Sequence, residues 1–118
     1  MEDDVKFQPG WQDIWEKASK EIPNDYDVLY LGGILPPNKE AYNSLIQPVN
    51  SYWSRIRDHT LFGQASPNRY FHVCNYSYIL SKNGAKKILE NIIARGGYYT
   101  SADHMVCNQI DFLNHYFL

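Results

Sequence analysis

Apolar residues recur along this chain with two different periods. In WQDIWEKASKEI, the positions Trp11, Ile14, Trp15, Ala18 and Ile22 fall at helical spacing and predict a helix over residues 11–22. Pro9-Gly10 supplies a turn before it, and Pro23-Asn24 stops it. Residues 27–31 form a short apolar run that ends at Gly32-Gly33, the pattern of a buried strand. Residues 71–80, within YFHVCNYSYIL, form a second strand. Ser81 is placed to cap a helix over residues 82–94, with Ala85, Ile88, Leu89, Ile92 and Ile93 as its apolar stripe. Gly84 falls in the first turn of that helix, where a glycine costs least, and Gly96-Gly97 ends it. Ser101 then caps a second short helix with Ala102, Met105, Val106 and Ile110 inward. Between the strands, residues 38–68 read as a long excursion, within which Trp53, Ile56 and Leu61 suggest a short helix face. The tail DFLNHYFL is apolar to its last residue, as expected of an end docked in a core or cut short.

The resulting order, loop-helix-strand-loop-strand-helix-helix, indicates an α/β domain. A parallel sheet needs helices on both faces, and this pattern supplies few strands. Strands N-terminal to the chain are therefore expected to complete it. Length and composition agree with one folded domain: 118 residues, 44% hydrophobic and 15% aromatic. The ten tyrosines combine ring packing with a hydroxyl, which suits pockets for polar ligands.

Charge removes one class of partner. Eleven basic against thirteen acidic residues give a net charge of −2 with no basic stripe, so nucleic acid is not expected. No stretch approaches a membrane span. The opening Met1-Glu2-Asp3-Asp4 is not a signal peptide, which leaves a cytoplasmic expectation. Cys74 and Cys107 lack zinc spacing and read as buried thiols. Asn75-Tyr76-Ser77 is formally a glycosylation sequon but falls within the second expected strand.

The chemistry-bearing residues are few. Glu2, Asp3 and Asp4 are consecutive carboxylates whose repulsion a divalent cation carrying a diphosphate would relieve. Taken alone, the triplet reads as a solvated acidic terminus, a common feature. Asp103 begins an expected helix, where the dipole favours a carboxylate for any purpose. It is also suited to accept a proton from a sugar hydroxyl at the edge of a cleft. Gly32-Gly33 would let a ligand approach the backbone or simply turn the chain. Lys82, Lys86 and Lys87 read as a solvated helix face.

Taken together, these segments resemble the family 25 glycosyltransferases, which include bacterial lipopolysaccharide glycosyltransferases and procollagen galactosyltransferases. Glu2-Asp3-Asp4-Val5 is similar to the acidic donor motif. Asp25-Tyr26-Asp27-Val28-Leu29-Tyr30-Leu31-Gly32-Gly33 is similar to the strand and glycine turn that follow it. Tyr76-Ser77-Tyr78-Ile79-Leu80-Ser81-Lys82-Asn83-Gly84-Ala85 resembles a tyrosine-rich strand followed by Ser-x-x-Gly-Ala, and Ser101-Ala102-Asp103-His104 resembles the Asp-containing segment after it. The resemblance implies that residues 1–118 are a single partial domain of GT-A type that lacks its N-terminal strands. It implies inverting transfer of a hexose, galactose or a relative, from a UDP-sugar to a saccharide or hydroxylysine-type acceptor. Glu2, Asp3 and Asp4 would hold Mn²⁺ or Mg²⁺ with the donor, Gly32 and Gly33 would lie against the cofactor, and Asp103 would act at the acceptor. Without the base-binding strands or an oligomer partner, the chain alone is expected to bind a UDP-sugar weakly or not at all and to show no measurable transfer. The alternatives are an inactive truncated homologue, a non-catalytic carbohydrate-binding or interaction module, and a two-metal phosphohydrolase drawing on Asp103, Asp111 and the histidines.

Overall fold

A computed structural model describes residues 6–32, 43, 46–56, 77–98, 106 and 113–118. Helix α1 spans Trp11–Ala18 and tightens into a 3-10 turn over Ser19–Glu21. Strand β1 is Val28–Tyr30, β2 is Ile46–Pro48, β3 is Ser54–Ile56 and β4 is Tyr78–Leu80. Helix α2 spans Lys82–Ala94, and β5 is His115–Phe117.

The five strands make one mixed sheet in the order β2-β3-β5-β1-β4. β1 and β5 run parallel, with Val28 opposite His115 and Tyr30 opposite Phe117. β4 lies antiparallel to β1, β3 antiparallel to β5, and β2 antiparallel to β3. Pro48, which has no N–H to give a neighbour, sits in the edge strand β2.

Side chains alternate across this sheet, and each face is covered by a helix. On one face Val28, Tyr30, Ile46, Ile56 and Phe117 pack with Ile88 of α2, Val106 and Leu113. On the other, Leu29, Trp53 and Tyr116 pack with Ala18 of α1, and Trp15 and Ile22 close the margin. Each fully buried aliphatic side chain contributes about 1.5–3 kcal/mol, so strands buried on both faces hold together despite being only three residues long.

Both helix ends follow their local chemistry. Gly10, at φ 80°, enters α1 through a left-handed turn that a side chain would resist. The 3-10 turn gives way to extended Ile22, as expected of a residue before a proline. The Ser81 hydroxyl accepts from the Gly84 N–H at 2.9 Å, capping α2. Gly96 and Gly97, both with positive φ, terminate it.

The inward faces of the helices differ from the expected stripes. Trp11 and Ile14 are 37% and 49% exposed, so α1 docks through Trp15 and Ala18 alone. In α2 the buried positions are Gly84 and Ile88, whereas Leu89 and Ile93 face outward. The rotation has a cause at Gly84. A Cβ there would overlap the Asp27 carbonyl, with its carbon only 2.9 Å away, so the helix backbone lies directly on the start of β1. Replacing Gly84 by alanine should add about 1 kcal/mol of helix propensity and lose more to overlap, for a net destabilisation of about 1–3 kcal/mol. A urea midpoint at or above that of the parent would show that the helix can back away freely.

The short helix face expected around Trp53 and Ile56 is instead strand β3, with Trp53 just before it and Ile56 at its end. Residues three apart share a helix face but lie on opposite sides of a strand, and here Trp53 and Ile56 enter opposite cores. The expected excursion and the apolar tail supply three strands that the sequence pattern did not mark, β2, β3 and β5. Among the described residues, no helix is long and apolar enough to cross a membrane. Residues 71–76 of the second expected strand lie outside the described residues, as do Cys74, Cys107 and all but Val106 of the expected last helix; Val106 is buried.

Candidate functional site

The two ends of the parallel pair β1/β5 carry different groups. At the amino ends, Asp27 is 1% exposed and its carboxylate is fully engaged. Oδ2 accepts from Lys87 Nζ at 2.6 Å and from the Asn114 N–H at 2.9 Å, and Oδ1 accepts from Asn83 Nδ2 at 3.4 Å. The Asp27 carbonyl accepts from the Ser81 N–H at 2.9 Å. This one residue therefore ties β1 to β5 and to the first turns of α2. Lys87, expected to be solvated, is the counter-charge of this buried carboxylate. Lys86 does lie exposed, 3.7 Å from Glu90 one turn on.

Asn114 extends the clasp. Its Nδ2 donates to the Asp25 carbonyl at 2.9 Å, and its Oδ1 accepts from Arg55 Nη2 at 2.5 Å. The Tyr116 hydroxyl donates to Asp25 Oδ1 at 2.7 Å, and the Arg55 guanidinium lies 5.9 Å from the centre of the Tyr116 ring. Burial, the hydrogen bond to the Asp25 carboxylate and that carboxylate's charge push the Tyr116 phenol up to about 12. Arg55 opposes them more weakly by favouring the phenolate.

The sign of the resulting pH dependence follows directly. Below pH 10 the phenol is protonated in both folded and unfolded chains, and its contribution is constant. Between about 10 and 12 the unfolded chain loses that proton first, so stability falls with rising pH, by on the order of 2–3 kcal/mol from this group. Urea denaturation of the parent and of Tyr116→Phe should therefore give stabilities whose difference is flat to pH 10 and shrinks above it. A constant difference up to pH 12 would remove Tyr116 as the source.

These amino-end groups satisfy one another, and the arrangement is a fastening rather than a reaction centre. A buried carboxylate already accepting three bonds is poorly placed to take a proton from an incoming ligand. On the α2-covered face of the same strands, Tyr30 Oη and His115 Nδ1 are 3.1 Å apart, and their rings are near-parallel with centroids 5.7 Å apart. Both residues are buried within the sheet.

The carboxyl ends differ. β1 runs out through Leu31 to Gly32, β5 runs out to Leu118, and the Leu118 N–H donates to the Tyr30 carbonyl at 3.0 Å. Gly32 is half-buried, its backbone is not left-handed, and among the described residues nothing lies within 4 Å of where a Cβ would stand. Of the residues expected to form a site, only Gly32 is described. Glu2, Asp3, Asp4, Gly33 and Asp103 lie outside the described residues. Among the described residues, no three His, Cys, Asp or Glu side chains gather as a metal-ligand set.

Asp27, Lys87, Asn114, Arg55 and Tyr116 were not marked by any sequence pattern. The one local hint was an acidic residue opening an apolar strand. No family model, characterised protein or solved structure matches the chain.

Proposed function

We propose that the chain serves in metal-dependent, inverting transfer of a hexose, of galactose type, from a UDP-sugar to a saccharide or hydroxylysine-type hydroxyl. The observation that supports this reading is the carboxyl end of the parallel pair β1/β5, where Gly32 follows β1. In open α/β sheets, ligands bind beyond the carboxyl ends of the parallel strands, and β1 and β5 end there side by side. The Ser81-x-x-Gly84-Ala85 segment adds to it. Its serine caps α2 and its glycine seats that helix on β1, so the motif that resembles the transferases has a structural purpose next to the same strand.

In this reading Glu2, Asp3 and Asp4 offer the all-oxygen ligand set that Mn²⁺ or Mg²⁺ prefers. The cation's chemistry is to neutralise the diphosphate as it leaves. Asp103 would take the proton from the acceptor hydroxyl as its oxygen attacks the anomeric carbon.

The contacts assigned to this chain engage the diphosphate alone, so donor binding should be weak. Isothermal titration with UDP should give a dissociation constant on the order of 1 mM, about −4 kcal/mol, and only with Mn²⁺ present. Asp4→Asn should abolish that metal dependence, while Asp103→Asn should leave UDP binding unchanged. Binding that ignores Mn²⁺, or that keeps its metal dependence in Asp4→Asn, would overturn the reading.

A further inference from the structure

We draw no further inference here: the strongest candidate, the exposed apolar stripe of Phe7, Trp11 and Ile14 at the start of α1, where the Phe7 and Trp11 rings stack 4.4 Å apart, carries nothing because nothing in the structure shows what covers it.

Discussion

Replacing Asp27 by alanine is expected to destabilise the fold by about 3–5 kcal/mol, the usual cost of removing one partner from a buried ion pair. Lys87 is about one-third exposed and can turn toward water. The Asn114 N–H cannot follow it, because it sits where β5 is fastened to β1, and an unsatisfied buried donor alone costs about 1–3 kcal/mol. Asp27→Asn separates the two effects. Its carbonyl oxygen can still accept from Asn114, while its amide hydrogens oppose the Lys87 ammonium. Converting Lys87 to methionine in the same chain should then recover part of the loss, since the remaining pair needs no charge. Since small domains are stable by only about 5–15 kcal/mol, Asp27→Ala should shift a urea or thermal transition far toward unfolding. A change under 1 kcal/mol, with no coupling between positions 27 and 87 in the double-mutant cycle, would show that the clasp is incidental.

Trp53→Ala should cost a comparable amount, about 3–5 kcal/mol, for a different reason. The indole is fully buried between the sheet and α1, packed with Ala18, Leu29 and Tyr116. Its Nε1–H also donates to the Ala18 carbonyl at 2.9 Å, where α1 passes into its 3-10 turn. Deletion leaves a cavity and removes the bond that ties the indole to the end of α1. Trp53→Phe keeps most of the volume and loses the bond, so it should cost on the order of 1–2 kcal/mol. The neighbouring turn should limit collapse around the cavity. Asn50 Oδ1 accepts from the N–H groups of Tyr52 and Trp53 at 3.0 and 2.8 Å, and its Nδ2 donates to the Glu21 carbonyl at 2.8 Å. Denaturation followed by far-ultraviolet circular dichroism would measure both variants. Equal stabilities for Trp53→Ala and Trp53→Phe would contradict the cavity argument.

What could be read from sequence was whatever a few neighbouring residues decide together. The helix Lys82–Ala94 was legible to both ends, because a capping serine and a glycine pair act within a turn of where they sit. Strand β1 was legible because aspartate, a short apolar run and glycine are adjacent. The rotation of α2 was not legible. It depends on one glycine meeting a carbonyl more than fifty residues away, so the wider Leu89–Ile93 stripe misled. β2 and β3 were hidden by an ambiguity of period, since Trp53 and Ile56 fit a helix face as well as two sides of a strand. The clasp of Asp25, Asp27, Arg55, Asn114 and Tyr116 gathers residues from three distant segments and leaves no spacing to recognise. The proposed donor and acceptor carboxylates rest on sequence and resemblance, and they lie outside the described residues.

The position of β5 has a kinetic consequence. The strand that fills the middle of the sheet enters beside β1 from a point 85 residues further along the chain, as the Tyr30–His115 contact measures. During synthesis, β1 and β4 can pair and α2 can settle on them while β3 has no neighbour on its inner side. Until His115–Phe117 is made, the nascent sheet is two fragments with a gap between them, each presenting unpaired backbone and apolar side chains. Such a topology delays closure of the sheet until β5 is made and favours slow folding, because its pairings are far apart in sequence. The ribosome-bound intermediate would be the form most in need of chaperone protection and most prone to capture a strand from another chain.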